Sequence, residues 1–195
     1  MTAVALSPRR SAITTSSTGS VLESRRLGAE ELHALLQAVS SVPDPELGGV
    51  TIGELGLVHE IRPLLGDGVI EVFLLPTFLG CPALKLMERD VVAVLSVLSV
   101  SPVRVTWVNW PIWSPDRISF AGRSKLAELG IAVPCADVAD DIPVCPICSV
   151  DALEAKLPVG PTACRSVAWC TSCRSVVEIM RGSHSGATGG SYANV

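Results

Sequence analysis

The sequence contains few aromatic and few charged residues, and it has no long uninterrupted apolar segment. Of its 195 residues, 4% are aromatic and 17% are charged. The best candidate for a membrane span, residues 91–100, has about half of the roughly 20 apolar residues that a transmembrane helix needs. The formal net charge of −4 provides no overall field that would attract nucleic acid or an anionic bilayer. We therefore expect no nucleic acid and no membrane among its partners.

Several signatures that would assign a chemistry or a compartment are also missing. The sequence shows no P-loop, no dinucleotide-binding fingerprint and no nucleophile elbow. Residues 1–27 are rich in Ser and Thr and lack the continuous apolar segment of a secretory signal, so we interpret them as a flexible N-terminal extension. Without an export signal, the predicted compartment is the reducing cytoplasm, where paired cysteines bind metals more often than they form disulfides.

The apolar residues that are present follow helix and strand periodicities. Hydrophobic residues make up 48% of the sequence and the mean hydropathy is +0.46, which is enough for a substantial core. The predicted order is helix, strand, strand, helix, strand and helix, over residues 28–39, 57–61, 69–75, 82–98, 103–108 and 122–129. The first two strands are expected to pair antiparallel. This order predicts an α+β domain over residues 28–134, in which helices cover one face of a three-stranded sheet.

The composition changes twice after this domain. Residues 135–142 contain a cluster of aspartates and are expected to form an acidic linker. Residues 143–181 are rich in cysteine and form a second, smaller unit. Residues 182–195 consist largely of glycine, serine and small residues, so we interpret them as a disordered tail.

Five of the seven cysteines fall in the second unit, and four of them form two CxxC pairs. Cys145-Pro-Ile-Cys148 and Cys170-Thr-Ser-Cys173 can each direct two thiolates at one metal ion, which together gives the tetrahedral four-cysteine shell of a zinc ribbon. We expect structural zinc, with a redox dithiol or a cluster site as the alternative. Cys164 either substitutes for one ligand, pairs transiently or is simply buried, and Cys135 is not assigned.

The second unit shows little that would bind nucleic acid. Four basic residues against three acidic residues give a local charge of +1, and Trp169 is the one aromatic residue in this stretch of the sequence. Neither a basic surface nor a set of stacking side chains is therefore present. We expect the ribbon to dock on a protein.

Two stretches of the first unit contain polar or reactive residues that the formation of a hydrophobic core does not explain. The stretch Pro43-Asp44-Pro45-Glu46 holds two carboxylates in an extended turn, although an ordinary surface turn is the alternative. The segment from Thr77 to Pro82 carries Cys81 just before the second predicted helix. The helix N-terminus is expected to lower the pKa of this thiol and to favour the thiolate, whereas a buried structural cysteine is the alternative.

Three tryptophans lie close together at and after the third predicted strand. Trp107, Trp110 and Trp113 are spaced at every third residue. They either form a contact surface or belong to the core.

These motifs together resemble a known family. Asp44-Pro-Glu46, Leu55-Gly-Leu-Val58 and the segment from Thr77 to Pro82 look like the metal–sulfur cluster assembly domain of SufT-like proteins. With the two CxxC pairs and the stretch Gly160-Pro-Thr-x-Cys164-Arg165, residues 30–181 resemble PaaD, the accessory subunit of the phenylacetyl-CoA epoxidase system. The sequence departs from the family's pattern at Trp113-Ser-Pro-Asp116-Arg117 and in its longer N-terminal extension.

The resemblance implies a role in activating a multicomponent oxygenase, without catalytic activity of its own. It implies that Cys81 is the functional thiol and can hold a transient iron–sulfur cluster, with Asp44, Glu46 and Thr77 nearby. One thiolate holds a cluster only together with ligands from another chain. The implied partners are therefore a client oxygenase or its reductase, or a second copy of the chain.

Two other functions compete with this one. The chain is either a non-catalytic structural or interaction subunit, docked in an oxygenase complex through its zinc ribbon, or a thiol oxidoreductase that uses Cys145 and Cys148. The first alternative needs no reactive Cys81, and the second requires free dithiols.

Overall fold

The computed structural model describes residues 28–63, 68–98, 101–134 and 143–181. The predicted N-terminal extension, acidic linker and tail lie outside these residues, as do Cys135 and most of the predicted hairpin loop. The first unit contains α1 (Ala29–Ser40), β1 (Val58–Pro63), β2 (Ile70–Leu74), α2 (Leu84–Leu98), β3 (Val103–Trp107), a 3-10 turn (Pro115–Arg117) and α3 (Phe120–Glu128). The predicted order of helices and strands and the α+β class are confirmed.

The first sheet has three strands with β2 in the centre. β1 pairs with β2 antiparallel, as expected for the hairpin, and β3 pairs with β2 parallel through the crossover helix α2. α1 contacts α2 and β1, and the apolar stripe of α2, Met87, Val91 and Leu95, is buried in the core. Within the described ranges, none of the helices combines the length and the hydropathy needed to cross a bilayer.

α2 begins two residues later than the sequence pattern suggests. Pro82 and Ala83 form a turn, and the carbonyl of Ala83 accepts the backbone N–H of Met87 at 3.0 Å. Cys81 therefore lies outside the helix, in a turn in which its own N–H donates to the carbonyl of Phe78 at 3.2 Å.

The second sheet has four strands and includes one strand from the end of the first unit. β5 (Leu153–Leu157), β6 (Arg165–Cys170) and β7 (Val176–Met180) form an antiparallel ribbon, and β4 (Ile131–Ala132) pairs parallel with β7. Ile131 and Met180 are both buried in the main core. The two units are thus joined by backbone hydrogen bonds and by a shared core.

β4 and β5 differ from the sequence-based expectation, which contained neither strand. β4 is two residues long, which is too short to show an alternation of polar and apolar residues. β5 has the sequence Leu-Glu-Ala-Lys-Leu, which consists of residues that prefer helices. Its pairing with β6 supplies the strand hydrogen bonds and overrides that local preference.

Gly56 fixes the loop between α1 and β1 against the 3-10 turn. Its φ is +66°, and a Cβ atom at this position would overlap the backbone carbonyl of Arg117. The Arg117 Nε donates to the Gly56 carbonyl at 2.8 Å, so the two segments are held together tightly. Glycine is required at position 56 because the backbone is left-handed there and because a Cβ atom would have no room.

We expect Gly56→Ala to lower the free energy of unfolding by about 2 kcal/mol, the sum of left-handed strain and steric overlap. Gly68→Ala is the matched control, because Gly68 has the same φ of +66° but has no atom within 4 Å of the position that a Cβ would take. Urea unfolding of both variants measures the difference. Equal losses in the two variants would show that the contact with Arg117 contributes nothing.

Candidate functional site

The two CxxC pairs come together at one end of the ribbon. The sulfur atoms of Cys145, Cys148, Cys170 and Cys173 all lie within 4.8 Å of one another. The Sγ–Sγ distance is 3.8 Å between Cys145 and Cys173, and 3.6 Å between Cys148 and Cys170. A tetrahedron with zinc–sulfur distances of about 2.3 Å has edges of about 3.8 Å, so this donor set fits zinc. The unit is a metal-binding ribbon.

The two cysteine turns have the same backbone design. The N–H of Ser149 donates to the carbonyl of Cys145 at 2.8 Å, and the N–H of Arg174 donates to the carbonyl of Cys170 at 2.9 Å. Ser149 and Arg174, each four residues after the first cysteine of its pair, have left-handed φ values of 58° and 59°. This tight turn is what directs both sulfurs of a pair toward the same point.

Burial and hydrogen bonding suit these thiols to a closed structural site. Cys145 and Cys170 are buried in a small core, and the hydrogen bond with the Ser175 side chain lowers the pKa of Cys173 to about 6. The backbone N–H of Cys173 lowers the pKa of Cys170, but burial and the side-chain hydrogen bonds with Cys173 and Cys148 raise it to about 11. A metal ligand has to be deprotonated, so a proton competes with the metal for Cys170 more strongly than for Cys173. The remaining apolar members of the core are few: Ala132, Leu153, Ala168 and Val177.

Cys164 is not part of this set of four sulfurs. It is 9% exposed, and its Sγ lies 3.2 Å from the hydroxyl oxygen of Thr162 in the loop before β6. The structure brings Cys164 instead to a cavity of about 170 Å³ between the two units. This cavity is also lined by Cys81 and Glu46. The geometry therefore does not support the alternative in which Cys164 replaces one of the four ribbon ligands.

Asp44 has a local role next to this cavity. Its Oδ1 accepts the backbone N–H of Glu46 at 2.8 Å and that of Leu47 at 3.0 Å, which closes the turn that carries Glu46. Burial raises the pKa of Asp44, and the charge of Glu46 adds to this, while the two N–H donors and the Arg165 guanidinium lower it. Asp44 thus positions Glu46, whose side chain reaches the cavity.

The expectation of a lowered pKa for Cys81 is wrong. Burial raises the pKa of the Cys81 thiol, and the negative charges of Glu46, Cys164 and Asp44 raise it further. The N–H of Ala83 lowers the pKa, as expected of a group at the start of a helix, but this single donor does not offset the other effects. The resemblance implied that the acids lie near Cys81, but local spacing could not show that burial, these charges and Cys164 of the other unit outweigh the helix N-terminus.

This raised pKa makes Cys81 a slow nucleophile. We expect the pH profile of its alkylation by iodoacetamide, followed by mass spectrometry, to lie above that of a free cysteine, whose pKa is about 8.5. Glu46→Gln removes a negative neighbour and should move the profile to lower pH. Glu88→Gln removes the same charge from α2 and serves as the control. A Cys81 profile below that of a free cysteine would contradict the structure.

Thr77 lies four residues before Cys81, in the segment that joins β2 to α2. It lines a second cavity of about 390 Å³, whose walls are mainly apolar. The lining of this cavity includes three exposed side chains that we call the apolar patch: Phe78, Leu79 and Ile112. Thr77 is not among the residues that line the cavity of Cys81 and Glu46, and its role beside them stays a prediction.

Arg165 is a residue at the boundary between the units to which the sequence assigned no role. It is 9% exposed, donates from Nε to the Thr162 hydroxyl at 2.7 Å and forms an ion pair with Glu178 at 3.0 Å. Arg165 ends the stretch Gly160-Pro-Thr-x-Cys164-Arg165, which contributes to the family resemblance. That stretch does not by itself indicate that Arg165 lies at a boundary between units.

Two protein-family models match the chain one after the other. A model described as an iron–sulfur cluster assembly protein matches residues 32–109. A model described as the PaaD zinc beta ribbon domain matches residues 136–181. The chain is also 30% identical over 156 residues to a protein of Escherichia coli (strain K12) that is named as one subunit of a "Putative 1,2-phenylacetyl-CoA epoxidase". The match covers 77% of this chain and 93% of that protein.

Solved structures similar to this chain cover about its first unit. A domain of unknown function, DUF59, from Bacillus anthracis is 32% identical with a TM-score of 0.45, covering 50% of this chain and 92% of that one. A Mycobacterium tuberculosis protein described as associated with Fe–S complex assembly and repair is 37% identical with a TM-score of 0.32, covering 57% and 96%.

Proposed function

The chain belongs to the PaaD family, and we propose that it is an accessory factor of a phenylacetyl-CoA epoxidase-like oxygenase. In this role it helps to assemble or deliver an iron–sulfur cluster or an iron centre to the enzyme. The observation that carries the proposal is the Cys81 thiol, which shares a cavity with the carboxylate of Glu46 at the boundary between the two units. Thiolate and carboxylate are both ligands of protein-bound iron.

The ligand set suits transfer better than storage. Cys81 is half-buried and Glu46 is exposed, so an iron centre can enter and leave without unfolding the chain. The raised pKa of Cys81 means that a proton competes with the metal for the sulfur. Reversible binding of this kind is what a delivery factor requires.

The ribbon serves as scaffold in this proposal. Its four thiolates form a closed set, which leaves no coordination position for chemistry. When zinc is bound by these four thiolates, it stabilises the fold of residues 143–181, which have only a small core of their own. The ribbon thereby fixes the loop that borders the Cys81 cavity.

The direct test is the metal content of the client enzyme. We expect a client oxygenase produced without this chain to be present but deficient in iron or sulfide, and inactive. Coexpression with the wild-type chain should restore both, and Cys81→Ser should restore at most about a tenth of the activity, the loss that removal of an essential ligand produces. Iron and sulfide analysis of the purified client measures this. A fully loaded and active client in the deletion strain would refute the proposal.

A specific observation also favours an interaction subunit as the second candidate function. The ribbon exposes a set of apolar side chains: Val144, Ile147, Val150, Leu157, Val159 and Val176. Exposed apolar surface of this kind is typical of docking sites. This function predicts that Cys81→Ser leaves client activation unchanged and that Ile147→Asp abolishes it.

A further inference from the structure

β3 forms a free edge of the first sheet. β2 lies on one side of β3, and no described strand pairs with its other side. The N–H of Val108 donates to the Leu74 carbonyl at 2.8 Å. Because hydrogen bonding alternates along a parallel strand, the backbone N–H and C=O groups of Val103, Val105 and Trp107 point away from β2. Outward-pointing groups of this kind are a template for a further strand.

The other outer strands in the described part of the chain carry features that discourage strand addition, and β3 does not. β1 contains a bulge between Val58 and Glu60, and β4 has only two residues. β5 contains a bulge and exposes Lys156. Bulges, very short strands and lysine all disfavour the pairing of an edge with another chain. β3 instead keeps a regular register with β2 over Val103–Trp107, so its edge is suited to pairing.

The apolar cavity of about 390 Å³ lies at the carboxyl end of β3. Val108 and Asn109, which directly follow the strand, line it together with Ile112 of the apolar patch. Phe78 lines this cavity and also the smaller cavity that contains Cys81. A strand added to β3 would therefore lead to a place for an apolar side chain, and that side chain would lie beside the loop that carries Cys81.

The charge on this edge favours an acidic partner. Arg104 is exposed in the middle of β3 and forms no ion pair with any described residue. Glu71, which lies opposite it in β2, is buried and accepts the Thr106 hydroxyl at 2.8 Å. A carboxylate opposite Arg104 on an added strand would form a favourable cross-strand pair. β3 itself has the sequence Val-Arg-Val-Thr-Trp, which contains no carboxylate, so a second copy of β3 would leave Arg104 unpaired.

We propose that the free edge of β3 binds an extended segment of the client oxygenase as an additional strand. The segment carries an apolar residue for the cavity and a carboxylate for Arg104. Arg104 and Val108 are four positions apart, so these two side chains are separated by about 13 Å of extended chain. Backbone hydrogen bonds provide the affinity of such a complex, and the side-chain sites provide its specificity. That the partner is the client rests on the proposed function above.

Hydrogen exchange resolved to single residues tests this surface in the full zinc-loaded chain, mixed with the purified client oxygenase. The N–H groups of Val103, Val105 and Trp107 should become protected on binding, whereas those of the two residues between them, which already donate to β2, should change little. This alternation distinguishes strand addition from contact with a face of the sheet. Protection that does not alternate, or that appears around Ile147 of the ribbon instead, would overturn the proposal.

Four variants test the side-chain sites. Arg104→Glu should weaken binding of the client about tenfold or more, the effect of losing a charged contact. Arg89→Glu makes the same change on the exposed face of α2 and is the matched control. Ile112→Asp places a charge in the cavity and should also weaken binding, whereas Ile147→Asp, on the ribbon, should not. Zinc content and urea unfolding show that each variant is folded. Folded Arg104→Glu and Ile112→Asp variants that bind like the wild-type chain would overturn the proposal.

The two proposals fail separately. Alternating protection of β3 in the chain alone, together with a dimer in sedimentation equilibrium, would show that a second copy occupies the edge and would refute the client as its occupant. A client that this chain loads with iron while β3 stays unprotected would refute strand addition alone. A client that binds at β3 but is loaded equally well without the chain would refute delivery alone.

Discussion

Removal of the ribbon metal is expected to unfold residues 143–181 while α1, α2 and the first sheet stay folded. The buried apolar residues that surround the four cysteines are too few to form a core, and in zinc-finger peptides structural zinc contributes on the order of 10 kcal/mol to folding. Hydrogen exchange measured by mass spectrometry, with and without a strong chelator, should show complete loss of protection in β5, β6 and β7.

The coupling between the units makes this prediction more specific. β4 pairs with β7, and Met180 belongs to the main core, so protection of residues 131–132 should fall as well, while that of β2 persists. Cys173→Ser should reproduce the effect of the chelator, and Ser172→Ala, which alters a neighbour of that thiol, should not. Unchanged protection of β6 in the metal-free chain would contradict a structural role for the metal.

Thiol reactivity, measured with and without the chelator, separates the ribbon from a redox dithiol. A dithiol oxidoreductase would present Cys145 and Cys148 to thiol reagents in the isolated protein. A structural site should instead contain stoichiometric zinc, and its thiols should react only after chelation. Reactive thiols at full zinc occupancy would favour the oxidoreductase.

Trp113→Ala is expected to cost about 3–5 kcal/mol, the typical range for removal of a fully buried aromatic side chain. Trp113 is 1% exposed, and its Nε1 donates to the Leu55 carbonyl at 2.9 Å. The substitution removes this hydrogen bond and leaves a cavity beside the loop that carries Gly56. Urea unfolding of the zinc-loaded chain measures the loss.

Trp110→Ala is the matched control for that variant. Trp110 is 78% exposed, so its removal should change the free energy of unfolding by less than about 0.5 kcal/mol. Because Trp110 is exposed and lies two residues before Ile112, which belongs to the apolar patch, the same variant should still weaken client activation if the client binds there. Equal losses of stability for the two tryptophans would contradict the structure.

The sequence could not assign the three tryptophans to the core or to the surface. Their spacing of three residues is compatible with a core or a contact surface, and the tertiary structure divides them: Trp113 is buried, Trp107 is half-buried and Trp110 is exposed. Exposure in a loop depends on what packs over it, which here is a segment 58 residues earlier in the chain. No local pattern carries that information.

The elements of the fold were predictable where local patterns are strong. The apolar stripe of α2 and the β-like runs of β1 and β2 are strong local signals, and they were located within two residues of the observed bounds. β5 was not predictable, because its residues prefer a helix and only its pairing with β6 makes it a strand.

The sequence by itself determined the ribbon ligands, because two CxxC turns fix the sulfurs of each pair through local backbone geometry. Only the tertiary structure decided the surroundings of Cys81. Glu46 and Cys164, which line the same cavity as Cys81, lie 35 and 83 positions away along the chain, and burial against the main core raises the pKa of Cys81. Local spacing predicts the ribbon site, because the two cysteines of each pair share a turn. The neighbours of Cys81 come from separate parts of the chain, so only tertiary packing determines them.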